Sequence, residues 1–158
     1  MKTSISCLFA LLLITGCAST KVTPEQLQQT AATIDYGDFR SETLTTRAWN
    51  SLEQGDYAAM LGYTNKVIEL YAAEAKRMNA EMRAFEPTPT ADQKWALNDV
   101  GTSLFIMGQG YEAMSMNTEA IAAYHRLTTE FGYAQCWDPK GWYWRPAEAA
   151  QARLQELQ

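Results

Sequence analysis

The segment from residue 133 to residue 145 carries the side chains best suited to ligand chemistry. Five of its thirteen residues are tyrosine or tryptophan, and Pro139 and Gly141 predict a turn within it. Such rings combine a large contact area with a polar tip, so they are common at binding hot spots and can also stack on sugar rings. The alternative is that the rings fold back and cover the end of a helical domain. The groove that we expect is lined by Trp137, Trp142, Tyr143, Trp144 and Arg145.

The remaining polar residues show no pattern typical of catalysis. Glycoside cleavage needs two carboxylates at a defined separation, but Glu69 and Glu74 are five residues apart on one predicted helix and should not face each other. His125 is the only histidine, and no nucleophile or metal motif lies near it. The sequence therefore predicts a non-enzymatic protein without a metal or another cofactor. Three further glutamates fall on mostly polar helix faces, which are usually solvated: Glu112, Glu119 and Glu130.

The first residues of the chain have the order of features found in a secretory signal peptide. One positive charge, Lys2, precedes an apolar run over residues 7–14 that is too short to cross a bilayer. Residues 13–17, Leu-Ile-Thr-Gly-Cys, resemble the lipobox of bacterial lipoproteins. The alternative is an ordinary secretory signal with a chance cysteine at its end.

The lipobox resemblance has implications for processing and location. It implies cleavage after Gly16, attachment of diacylglycerol to the Cys17 thiol and acylation of the new amino terminus. Ala18 stands where retention in the inner membrane usually requires aspartate. The resemblance therefore implies an outer-membrane lipid anchor with the folded domain in the periplasm.

The chain that remains after cleavage is acidic. Removal of residues 1–16 takes away one charged side chain, Lys2, and leaves 142 of the 158 residues with 12 basic and 18 acidic side chains. This balance argues against nucleic acid or an anionic lipid surface as the main partner. Cys136 is then the one unmodified cysteine, so neither an internal disulfide nor a structural zinc site can form. We expect a buried small apolar side chain, or else a free redox thiol that bonds to a partner.

The periodicity of apolar residues predicts one all-α domain over residues 23–158, after a lipidated tether at residues 17–22. Apolar side chains recur every three or four residues, which is the helical spacing. Gly55 supplies a C-terminal stop and Asp56 can cap the next helix, and Pro146 begins the last one. The predicted helices cover residues 23–33, 41–54, 57–85, 90–108, 113–131 and 146–157.

Two stretches of this domain share a pattern, with Gly55 and Gly108 in equivalent places 53 residues apart. A period of this size is typical of stacked helical hairpins. Residues 41–131 resemble tetratricopeptide repeats. The first set of signature positions is Leu44, Ala48, Gly55, Tyr57 and Val67, and the second is Leu97, Val100, Gly101, Leu104, Gly108, Ala113 and Ala120.

The resemblance implies two antiparallel helical hairpins with extended second helices, an N-terminal helix and a C-terminal capping helix. A generic antiparallel helix bundle is the competing interpretation. The resemblance to helical repeats implies a function as a periplasmic adaptor whose concave surface binds a peptide or protein of the cell envelope. The alternative function is a small-ligand or cell-wall glycan binder that uses the aromatic segment 133–145.

Overall fold

The computed structural model describes residue 29, residues 33–138 and residues 140–157. The prediction of an all-α domain is confirmed, since the sheet in this part of the chain is a single two-stranded hairpin. The elements are α1 (Ser41–Glu53), α2 (Tyr57–Glu81), a 3₁₀ helix (Thr88–Lys94), α3 (Trp95–Ala113), α4 (Asn117–Glu130), β1 (Cys136–Asp138), β2 (Trp142–Trp144) and α5 (Pro146–Leu157).

The predictions for the N-terminus lie outside the described residues. They are the signal peptide, the lipid site at Cys17, the tether and most of the helix over residues 23–33. Of that helix, Gln29 and Thr33 are described, and both are helical. No helix in the described part of the chain is long and apolar enough to cross a membrane.

The turn between α1 and α2 is the one that the sequence predicts. Gly55 has a φ of 72°, and its N–H donates to the carbonyl of Leu52 over 3.1 Å. The N–H of Asp56 donates to the carbonyl of Ser51 over 2.9 Å, which completes a Schellman motif. The Asp56 carboxylate accepts from the N–H of Ala59 over 3.0 Å and caps α2.

The turn between α3 and α4 repeats this hydrogen-bond pattern without a glycine. The N–H of Met116 donates to the carbonyl of Tyr111, and the N–H of Ser115 donates to that of Glu112, each over 2.8 Å. Ser115 has a φ of 59°, so it takes the place that Gly55 has in the first turn. The predicted 53-residue period is therefore wrong, because the equivalent turn residues are 60 residues apart.

Gly108 lies inside α3, where it lets α4 approach closely. A Cβ at this position would lie 2.2 Å from Cε1 of Tyr124, so no larger side chain fits without a shift of the ring. Ala48 and Ala120 are fully buried, as expected of small residues at helix contacts. Ala113, predicted to have the same role, is exposed at the end of α3.

The structure corrects three further details of the predicted helices. The second helix ends at Glu81 rather than near Phe85. The extended second helix holds only for the first hairpin, since α2 has 25 residues and α4 has 14. The helix predicted over residues 90–108 begins later, since the 3₁₀ helix covers Thr88–Lys94 and α3 begins at Trp95.

Helix α3 is the centre of the domain. It packs against the other four helices and against β1. Its buried residues lie on all sides of the helix. Small buried residues, namely alanine, glycine, serine and threonine, stand between its larger apolar residues. The predicted capping helix is confirmed as α5, which buries Ala147, Ala150 and Leu154.

Candidate functional site

The aromatic segment forms a short antiparallel β-hairpin, where the sequence predicted only a turn. β1 pairs with β2 so that Trp137 lies opposite Tyr143, and their ring centroids are 5.2 Å apart. Side chains alternate between the two faces of a strand. Trp142 and Trp144 therefore lie on the opposite face from Trp137 and Tyr143.

Hydrogen bonds from β1 and the residue before it fix the hairpin on α3. The N–H of Gln135 donates to Oδ1 of Asn98 over 2.9 Å. The Cys136 thiol lies 2.6 Å from the hydroxyl oxygen of Thr102. Because these contacts join a buried part of α3 to the start of the hairpin, they set its position relative to the helices.

The second strand is held by one ring contact and one hydrogen bond. The Trp144 ring packs edge-on against Phe105 of α3, with centroids 5.2 Å apart. The Tyr143 hydroxyl donates to the Asp92 carboxylate over 2.6 Å. The hairpin is therefore fixed at both strands, and Trp137 and Trp142 on it are each about half exposed.

A cavity of about 510 Å³ lies between α1, the start of α3 and this hairpin. We call it the aromatic groove. Its walls carry four of the five tryptophans of the chain. Two of them, Trp95 and Trp137, are about half exposed, at 45% and 54% of their surface. The groove is lined by Glu42, Thr45, Trp49, Asp92, Trp95, Asn98, Asp99, Thr102, Gln135, Cys136, Trp137 and Trp144.

The groove is acidic as well as aromatic. Its lining includes three carboxylates, Glu42, Asp92 and Asp99, and no described residue that lines it is basic. Burial raises the pKa of Asp99 to about 6, and the negative charge of Glu42 adds to the shift, while a hydrogen bond from the Ser41 hydroxyl opposes it. Near neutral pH the groove therefore holds a net negative charge in a partly dehydrated place.

Thr45 adds an unsatisfied polar atom to the same lining. The residue is only 6% exposed, and its Oγ1 has no hydrogen-bond partner among the described residues. A buried hydroxyl without a partner costs free energy unless another molecule satisfies it. This atom is therefore consistent with a ligand or water that occupies the groove.

Two neighbouring cavities each share three residues with the aromatic groove and extend it. One, of about 380 Å³, shares Glu42, Trp95 and Asp99 and continues toward Tyr71 on α2. The other, of about 480 Å³, shares Trp49, Trp137 and Trp144. The three together make a surface that is longer than a single small-molecule pocket.

The structure divides the predicted site residues between different surfaces. Trp137 and Trp144 line the aromatic groove, whereas Trp142, Tyr143 and Arg145 line two other cavities of about 430 and 380 Å³. The Arg145 guanidinium lies 3.8 Å from the ring centroid of Phe85 and also forms an ion pair with a glutamate of α5. The predicted single groove is thus divided between the aromatic groove and two adjoining cavities, one of which also includes Trp137 and the other Trp144.

Cys136 lies in the groove lining and is half-buried. Burial raises the pKa of its thiol to about 12, although the hydrogen bond with Thr102 opposes the shift. The thiolate is the form that attacks disulfides. A redox role for Cys136 stays a prediction, and at neutral pH its thiol is almost wholly protonated.

The other candidate residues lie away from the groove. His125 and Glu119 are exposed on α4. Glu112 is not simply solvated, as the sequence predicted, because it accepts from the Tyr124 hydroxyl over 2.6 Å and pairs with Arg153 of α5. Among the described residues, no group of three His, Cys, Asp or Glu side chains is placed to hold a metal ion.

Eight groove residues outside the aromatic segment escaped the sequence analysis: Glu42, Thr45, Trp49, Asp92, Trp95, Asn98, Asp99 and Thr102. For the two tryptophans a signal was present, since both are out of phase with the apolar stripes of their helices. Trp95 is accordingly about half exposed, whereas Trp49 is partly buried and also packs against the core. Thr45 and Asp99 gave no such signal, because nothing in the sequence placed α1 beside α3.

No protein-family model, curated protein or solved structure matches this chain.

Proposed function

We propose that this chain is a lipid-anchored binding protein of the bacterial cell envelope, and that its aromatic groove takes an extended segment of a partner protein. The observation that carries the proposal is the groove itself, a cavity with four tryptophans fixed on its walls. Support for the anchor comes from residues 13–17, whose order resembles a lipobox. The helical-repeat resemblance supports the same adaptor role, because stacked hairpins commonly present extended binding surfaces.

The shape of the groove favours a peptide over a compact metabolite. The aromatic groove and its two neighbouring cavities share residues along α1, α3 and the hairpin. An extended chain places a side chain every 3.3 Å or so and can occupy successive cavities. Tryptophan is also the residue type most enriched at protein-binding hot spots.

The polar side chains of the groove are held in place by hydrogen bonds within the protein. Asn98 bonds to the backbone of Ala91 and Gln135, Thr102 bonds to the Cys136 thiol, and the Gln135 side chain bonds to the backbone of Glu86. These bonds fix the groove walls and the start of the hairpin relative to one another. A preorganised surface of this kind lowers the entropic cost of binding.

A glycan of the cell wall is the second candidate ligand. Trp137 and Trp142 are each about half exposed, which leaves indole faces that can stack on sugar rings. Trp142 lies outside the aromatic groove and lines the two cavities of about 430 and 380 Å³. A glycan site on the hairpin would therefore depend on Trp142, whereas a peptide site in the groove would not.

Site-specific photo-crosslinking in cells tests the proposal. A photoreactive phenylalanine analogue, which unlike alanine keeps an aromatic ring at position 95, replaces Trp95 at the groove, and in a control it replaces Glu119 on the exposed face of α4. We expect one dominant protein adduct from position 95 that is absent at position 119. Identical adducts at both positions, or no protein adduct at position 95, would overturn the proposal.

A further inference from the structure

We infer that the aromatic groove recognises a cationic group, an ammonium or a guanidinium, through the Asp99 carboxylate and the surrounding indoles. This inference rests on the proposed function and names the chemistry of the segment that binds. The cation comes from a lysine or arginine side chain of the partner. A free polyamine carries the same chemistry, and the experiment below separates the two sources.

The lining of the groove carries one sign of charge. Asp99, Glu42 and Asp92 all border the groove, and no lysine, arginine or histidine of the described chain does. A cavity lined by one sign of charge concentrates ligands of the opposite sign. The same charge repels an anionic ligand, and no cationic side chain of this lining offsets the repulsion.

Asp99 lacks a cationic partner within the described residues. Its hydrogen bond comes from the Ser41 hydroxyl, and it takes part in none of the ion pairs of that part of the chain. Lys94 lies near Asp99 in the sequence and Arg40 lines the neighbouring cavity that Asp99 also lines, and each of them pairs with a glutamate. Lys94 lies 3.6 Å from a Glu81 oxygen, and Arg40 lies 3.4 Å from a Glu42 oxygen. A partly buried carboxylate without a cation gains most when a ligand supplies one.

An aromatic wall lies beside the Asp99 carboxylate. Trp95 lines the same two cavities as Asp99. Its ring is held edge-on against Tyr71, with centroids 5.4 Å apart, and about half of its surface is exposed. Tryptophan is the aromatic residue that binds cations best through its ring face. A carboxylate beside a fixed indole is a common arrangement for binding an ammonium or guanidinium group.

The unpartnered hydroxyl of Thr45 is an independent sign that a ligand binds here. Thr45 is more than nine-tenths buried and borders the groove, and its Oγ1 has no partner among the described residues. An ammonium or guanidinium group carries several N–H donors. Thr45 and Asp99 border the same groove, so a cationic group bound there lies close to both residues.

The test is a titration of the full-length protein in detergent, followed by the fluorescence of its tryptophans. The probe is a lysine tripeptide with acetylated and amidated ends. The matched probes are the glutamine and glutamate tripeptides with the same blocked ends, and spermidine represents a free polyamine. The variants are Asp99→Asn, which keeps the shape of the side chain, and Glu119→Gln, which removes one charge from the exposed face of α4.

We expect the lysine tripeptide to bind and the glutamate tripeptide not to bind. Asp99→Asn should weaken the lysine tripeptide by about tenfold, the usual size of the loss when one partner of a charge-assisted hydrogen bond is neutralised. Glu119→Gln should change the affinity less than about twofold, because exposed charges contribute little. Tighter binding of the tripeptide than of spermidine assigns the cation to a peptide, and the reverse assigns it to a free polyamine.

Two results would overturn the inference. One is equal affinity for the lysine and glutamine tripeptides, and the other is full affinity of Asp99→Asn for the lysine tripeptide. Either result leaves the proposed function standing if crosslinking from position 95 still captures a protein. Loss of that adduct is what would overturn the proposed function, so the two failures are distinguishable.

Discussion

Burial of the charged Asp99 carboxylate lowers the stability of the fold, and the same carboxylate is the group that we propose to bind a cation. Because burial raises its pKa to about 6, the folded state holds the proton of this group more tightly than the unfolded chain does. Stability from this group is therefore complete below the unfolded pKa near 3.8 and is lost as the pH rises through 6. The ionisable or polar groups that share its hydrogen bonds, its electrostatic surroundings or its cavities are Ser41, Arg40, Glu42, Tyr71, Asp92 and Cys136.

The variant Asp99→Asn should be more stable than the wild type at pH 7. Asparagine can still accept the hydrogen bond from Ser41 but carries no charge, so it avoids a cost of about 2–3 kcal/mol. Urea unfolding followed by circular dichroism at pH 4 and pH 7 measures this difference. The gain should shrink toward zero at pH 4, where the wild-type carboxyl is protonated. A variant that is less stable than the wild type at pH 7 would show that the charge is paired in the folded state.

The limits of sequence analysis at this scale are clear from Trp137 and Asp99. The aromatic segment was predicted as a binding surface from its composition, and Trp137 does line the groove. Asp99 was missed because the surroundings of a carboxylate depend on which elements pack against it. Ser41 is 58 residues away from Asp99 in the chain, and no local pattern predicts that contact.

At the scale of the elements, the two hairpin turns share one backbone geometry but differ in sequence. Gly55 and Ser115 both have a φ near 60–70° and donate to equivalent carbonyls. The first turn was predicted because glycine marks left-handed positions. The second was misplaced at Gly108 because a serine gives no such signal, and the glycine there has a packing role against Tyr124.

This comparison predicts opposite effects of two substitutions. Ser115→Gly should stabilise the protein by about 1 kcal/mol, because glycine adopts a positive φ without the clash that a Cβ causes. Gly55→Ser should destabilise it by a similar amount, since the space around Gly55 is open and only the backbone conformation opposes a side chain. Urea denaturation of both variants provides the measurement. Equal effects of the same sign would contradict the equivalence of the turns.

At the scale of the whole molecule, the proposal needs the groove to be held at a membrane. The helices and their order were largely predictable from apolar periodicity and from Gly55 and Pro146, because these signals are local. The groove was not predictable, since α1, α3 and the hairpin come together only in the folded chain. The adaptor role joins this groove to the lipid anchor that residues 13–17 predict.

The anchor is tested by Cys17→Ser in the full chain. The lipobox resemblance predicts that the wild type takes up an alkyne-labelled fatty acid and stays with the membrane fraction at high salt. The variant should lose the label and leave that fraction, because several acyl chains are needed for stable attachment. Cys136→Ser is the matched control and should keep both properties. Labelling that persists in Cys17→Ser would contradict the predicted anchor.

The most direct test of the account is how far capture of the envelope partner depends on the groove. Chemical crosslinking in cells, membrane purification and mass spectrometry would compare Trp95→Ala and Trp142→Ala, two half-exposed tryptophans on different surfaces. Circular dichroism would confirm that both variants fold. A groove that binds a protein segment predicts one dominant partner that is lost in Trp95→Ala and kept in Trp142→Ala. Recovery of cell-wall fragments that depend on Trp142, with no protein that depends on Trp95, would contradict it.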